Sequence, residues 1–160
     1  VQIAPTLVGS DGWGLVEQLA RRHENVRLVP WQPFARVAQY LMAADVLLQP
    51  PSRVPLRLVG NTVLPMKLFQ YLAAGRPIVA PDLPDMRELL EHEHNALLVR
   101  AGDAAGAASA VARLLAEPPL AERLSQAALA RARELTWDER GRRVVEFLER
   151  RLQAWRPSIF

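Results

Sequence analysis

Lys67 and Gln70 stand three residues apart at the start of a predicted short helix, and their chemistry is that of an anion site. Pro65 suits a first helical turn, where its missing N–H costs nothing. Leu64, Leu68, Phe69 and Leu72 then fall on one helical stripe. Backbone N–H groups at a helix start carry partial positive charge and favour a phosphate, which an ammonium at Lys67 would reinforce. Lys67 is the one lysine among twenty basic residues, the rest being arginine. A compact ammonium and a planar guanidinium are not equivalent at a phosphate. The plainer alternative, a solvated helix residue, stays open for Lys67, as plain polar surface does for Gln70.

The elements around this stretch are those of an α/β protein. Gly75 supplies the helix stop, Arg76 puts positive charge near unpaired carbonyls, and Pro77 excludes further helix. Ile78-Val79-Ala80 is a strand too apolar for a wet face. Earlier, residues 1–8 read as a strand interrupted by Pro5, and Ser10 or Asp11 is positioned to cap a helix over 13–23. A strand over 26–29, a helix over 34–43 and a strand over 45–49 follow. Residues 53–63 carry no clean period and read as a loop. Beyond the central strand come a short helix over 86–91, a strand over 95–99 and a turn with Asp103 as N-cap. Three helices then cover 104–116, 120–135 and 137–155, separated by Pro118-Pro119 and by Thr136, which with Glu139 forms a capping box. The alternation predicts a Rossmann-like, doubly wound parallel sheet with helices on both faces and a helical C-terminal segment.

Composition narrows the function. The 160 residues fit one domain with a sizeable core, and half are hydrophobic. No apolar run approaches a membrane span. Without cysteine there is neither a disulfide framework nor a thiolate metal site. A net charge of +3 and arginines alternating with glutamates describe a solvated face rather than a nucleic-acid surface. His23, His92 and His94 lack partners at ligand spacing, Glu88 reads as a local cap or pair, and Trp137 and Trp155 as packing residues. No serine occupies a strand–elbow–helix context, and the glycines fit neither the P-loop nor the dinucleotide pattern. Asp11 and Asp45 do not make the acidic cluster of a receiver domain.

The run from Leu64 to Ala80 resembles the proline–lysine–leucine–X–glutamate–tyrosine–X–alanine–X–glycine–X–proline block of retaining GT-B glycosyltransferases (family 4, group 1). Flanking stretches match in order: 7–12, 26–32, Ala44-Asp45-Val46 through Pro51-Ser52, 87–90, 95–99, 102–103 and 136–138. The resemblance covers nearly the whole chain. It implies most of a C-terminal donor-binding domain that holds a nucleotide-diphosphate sugar without a metal or cofactor. A saccharide or lipid acceptor would belong to an N-terminal domain that, like the first strand and helix of this one, is not seen here. It also implies donor contacts at Trp31, Gln32, Thr62, Val63, Lys67, Leu68 and Gln70, with Trp31 near the base or, alternatively, a core plug. Two family glutamates correspond to Thr62 and Gln70, so the ribose contact keeps a carbonyl acceptor and loses its charge. The fragment alone is expected to be inactive. The full protein is expected in the cytoplasm, any attachment to the inner face of the membrane being left to the missing domain. A degenerate, non-catalytic module that helps assemble a complex is the alternative.

Overall fold

The structure, a computed structural model, describes residues 5–10, 14–50 and 64–155. Strands and helices alternate and every strand pair is parallel, as the α/β reading predicts. The chain divides into two compact units, Val1–Ala44 and Asp45–Phe160.

In the first unit, β1 (Thr6–Ser10) pairs with β2 (Arg27–Pro30), Thr6 opposite Arg27 and Val8 opposite Val29. The register shifts between Val8 and Ser10, where Gly9 takes a φ of +88° that a side chain would resist. Between the strands runs α1 (Leu15–Ala20), shorter than the predicted 13–23. Its N-cap is Gly14, which makes no side-chain bond, so the capping predicted for Ser10 or Asp11 is not what starts this helix. Ser10 still belongs to β1, four residues too early, and Asp11 lies outside the described residues. After Ala20 the chain tightens, Arg22 N–H donating to Leu19 O and His23 N–H to Ala20 O. Pro33 leads into α2 (Phe34–Ala43), with the predicted bounds.

In the second unit, β3 (Leu47–Leu48), β4 (Ile78–Asp82) and β5 (Leu97–Arg100) lie in chain order. Leu47 faces Ile78, Val79 faces Leu97 and Asp82 faces Arg100. The central strand is buried from Ile78 to Pro81, which explains its unbroken apolar sequence. Helix α3 (Lys67–Ala73) precedes it; α4 (Ala104–Ala116), α5 (Pro118–Arg133) and α6 (Trp137–Ala154) follow β5. Val79 and Leu97 pack with Ala107, Leu114, Leu120 and Leu124, so sheet, α4 and α5 share one core.

Several boundaries differ from the sequence reading for local reasons. Pro118 and Pro119 occupy the first turn of α5 instead of separating two helices, because that turn needs no N–H donors. The helix predicted over 86–91 shrinks to one 3-10 turn, Met86–Glu88. Buried Asn95 takes over there, accepting from Glu91 N–H at 2.8 Å and donating to Leu89 O at 3.0 Å. Asp103 caps α4 by accepting from Gly106 N–H at 2.8 Å, and Thr136 caps α6 by accepting from Glu139 N–H at 3.2 Å. The carboxylate of Glu139 turns instead to Arg142 and Arg143, leaving the predicted capping box half made.

Helix α6 contributes nothing to this core. Val144, Val145, Phe147, Leu148, Leu152 and Trp155 are all half or more exposed along its apolar stripe. Trp137, expected to pack, is exposed beneath the Arg140 guanidinium, 5.8 Å from the ring centre. Trp155, also expected to pack, is 77 % exposed. No helix among the described residues is long and apolar enough to cross a membrane.

Candidate functional site

The predicted anion site is the first turn of α3, and its placement follows from how the helix ends. Gly75, at φ +63°, closes the helix in the left-handed conformation that glycine adopts without strain. Ala74 N–H donates to Gln70 O at 3.0 Å, and Pro77 is buried as the chain enters β4. Leu68 and Leu72 are fully buried, and Leu64 and Phe69 partly so, which fixes the helix's inward face against the second unit. Seven helical residues rise about 10 Å. The helix's C-terminus leads through residues 74–77 into β4. Open α/β sheets hold ligands at the carboxyl edge of their strands.

Lys67, Leu68 and Gln70 share this first turn. Leu68 N–H is taken by Pro65 O at 2.9 Å and Phe69 N–H by Met66 O at 3.3 Å. The N–H groups of Met66 and Lys67 have no partner among the described residues. The Lys67 side chain reaches solvent, yet partial burial lowers its pKa from the ordinary lysine range. It makes no ion pair among the described residues. A partly desolvated, unpaired ammonium is a charge that an anion would relieve. Gln70 is half-buried, and its side chain has no hydrogen bond among the described residues.

Sequence reasoning passed over Tyr71. It lies one turn after Lys67, and its hydroxyl donates to Leu48 O, the last residue of β3, across 3.4 Å. Burial raises the phenol's pKa, keeping it a neutral donor. The spacing of four from Lys67 was the signal available. The same edge carries Asp82, the end of β4, in a bidentate pair with Arg87 at 2.5 and 2.7 Å.

The other predicted contacts lie elsewhere. Trp31 follows β2 in the first unit and is 73 % exposed, which removes its alternative as a core plug. Gln32 is half-buried and donates from Nε2 to Pro30 O at 3.1 Å. Thr62, Val63 and the loop predicted over 53–63 lie outside the described residues. Glu88 ends the 3-10 turn, and His92 accepts from Leu98 N–H through Nδ1 at 3.0 Å.

Residues 3–117 match the model of a family described as Glycosyl transferases group 1. Lipopolysaccharide core biosynthesis glycosyltransferase LpsD of Rhizobium meliloti is 35 % identical over 111 residues, 69 % of this chain and 29 % of that protein. Phosphatidyl-myo-inositol mannosyltransferase of Mycobacterium leprae is 32 % identical over 114 residues, 71 % of this chain and 29 % of that protein. The chain thus spans less than a third of the length of these relatives. Sucrose-phosphate synthase of Thermosynechococcus elongatus shares the fold with a TM-score of 0.74 at 24 % identity, over 93 % of this chain and 38 % of that one. Anabaena HepE, solved in complex with UDP, shares it with a TM-score of 0.71 at 18 % identity, over 92 % and 41 %.

Proposed function

The chain belongs to the Glycosyl transferases group 1 family, and from that premise we propose that it is the donor-binding part of an enzyme that moves a sugar from a nucleotide-diphosphate sugar to a saccharide or lipid acceptor with retention. The observation that carries this reading is Lys67, partly desolvated and unpaired among the described residues, on the first turn of α3. Negative charge growing on a departing diphosphate is best met by fixed donors and a cation already in place. Lys67 supplies the cation, and the Met66 and Lys67 N–H groups the donors. Gln70 then takes a ribose hydroxyl. HepE has been solved with UDP and with UDP-glucose, which makes a nucleotide-diphosphate sugar the natural probe.

Acceptor binding belongs, on this reading, to a separate N-terminal domain against which the bare apolar stripe of α6 packs. The full protein works in the cytoplasm on cell-envelope saccharides, a role in keeping with the printed name of LpsD. Calorimetric titration of the full-length protein with UDP-, GDP- and ADP-sugars tests the proposal. Saturable binding of one of them supports it, and no heat from any of the three classes overturns it.

Gln70 favours a second reading, a degenerate module that binds without transferring. A neutral acceptor in place of a carboxylate forfeits roughly 1 kcal/mol of hydrogen-bond strength. Gln70→Glu separates the readings: a large gain in donor affinity points to a degenerate site, and an unchanged or lower affinity to a working one.

A further inference from the structure

The ladder from β3 to β4 runs past Leu48: Leu47 N–H donates to Pro77 O and Gln49 N–H to Val79 O, both at 2.9 Å. Alternate residues of a parallel strand face a given partner, so Leu48 turns its own carbonyl to the other side. That carbonyl is answered from a helix, by the Tyr71 hydroxyl at 3.4 Å. Among the described residues this is the one side-chain hydrogen bond that joins α3 to another element. Both partners belong to the second unit. Tyr71 stands four residues after Lys67, and side chains at that spacing share one face of a helix. A helical side chain also leans toward the helix start, so the Tyr71 ring lies toward the turn that carries Lys67. Burial acts on both groups, lowering the pKa of the lysine and raising that of the phenol, which stays a neutral donor. With no ion pair among the described residues, the ammonium has no charged partner to fix its place.

We infer that Tyr71 is a positioning residue of the donor site: its hydroxyl, tied to Leu48 O at the end of β3, holds the ring where it confines the Lys67 side chain for the diphosphate. This rests on the donor-binding reading above. A lysine carries its charge on a flexible four-carbon stem and gives up rotamer freedom when it binds. Restricting that stem beforehand removes part of the loss and appears as affinity. Tyr71 need not touch the ligand, because it acts through Lys67. The bond is long and joins two groups near the surface, so its worth to the fold is small and its worth to the site lies in direction.

The test titrates the full-length protein with UDP, GDP and ADP and with the matching nucleosides. Wild type, the nearly isosteric Tyr71→Phe, Lys67→Met and the double variant are compared, by calorimetry or, for the weaker affinities, by amide shifts in NMR. Tyr71→Phe should weaken the nucleoside diphosphate about threefold, the low end of what a hydrogen bond is worth, and leave the nucleoside unchanged. In the Lys67→Met background the same substitution should cost nothing, since the residue it acts through is gone. A tyrosine that only supports the fold would show equal losses in both backgrounds. Such equal losses, a matching loss for the nucleoside, or no loss at all overturn the inference and leave the donor reading standing. A wild type that binds no nucleoside diphosphate removes the donor reading and this inference with it.

Discussion

Replacing Lys67 with methionine removes the charge at the first turn of α3 and keeps a flexible apolar stem. Two effects of opposite sign follow. In the free protein, partial burial penalises the ammonium and no carboxylate among the described residues compensates it. Lys67→Met should therefore leave the melting temperature unchanged or raise it. The pH dependence of wild type carries the same mark. A lysine whose folded pKa lies below its unfolded value holds its proton more tightly when unfolded, so this contribution to stability rises with pH across the interval between the two values. That interval lies in the alkaline range just below the ordinary lysine pKa, and the methionine variant should lack the rise. In the bound protein the balance reverses. Two unit charges about 4 Å apart interact by about 4 kcal/mol near a protein surface, but the diphosphate must shed water, and hydrogen bonds to charged groups net about 1.5–3 kcal/mol. The expected loss is therefore about 10- to 100-fold in UDP affinity, with uridine affinity unchanged. Calorimetry with both ligands on the full-length protein provides the comparison. Equal losses for UDP and uridine, or a fall in melting temperature without a loss for UDP, would show that Lys67 supports the fold rather than the phosphates.

Three further outcomes follow from the packing and the charges. Leu124→Ala empties a fully buried position shared by sheet, α4 and α5, and should cost about 2–5 kcal/mol in urea unfolding. Gly75→Ala leaves room for the new methyl, whose nearest neighbour would be Leu129 Cδ2 at 3.8 Å. Its cost should therefore be the left-handed backbone alone, about 1–2 kcal/mol in the same assay. Glu139, held down to about 2 chiefly by its hydrogen bonds to Arg142 and Arg143, should titrate in that range by carboxyl NMR. Its contribution to α6 should be complete above the ordinary glutamate range and lost as pH falls toward 2.

The strongly periodic parts of the chain were legible in advance. The 34–43 helix and the buried 78–80 strand show in the sequence because one residue pattern serves both local preference and packing. Pro118 was misread because proline stops a helix from within and starts one at its first turn, and the residues alone did not say which. The helix predicted over 86–91 fails because the Asn95 side chain, six and four residues further on, captures the backbone at Leu89 and Glu91. Trp137 and Trp155 look like core residues by type, yet the helix that carries them adds nothing to the core of its own unit. At the candidate site, the turn holding Lys67 and Gln70 was visible as a motif. The Tyr71 bond to Leu48 O was not, since it depends on what the fold brings beside it.

Backbone amide shifts of the full-length protein, followed by NMR as UDP-glucose, GDP-mannose and ADP-glucose are added in turn, test the donor-site assignment most directly. One of the three should move Lys67, Leu68 and Gln70 together and saturate. Saturable binding that leaves these three amides in place, or no binding of any donor, would contradict it.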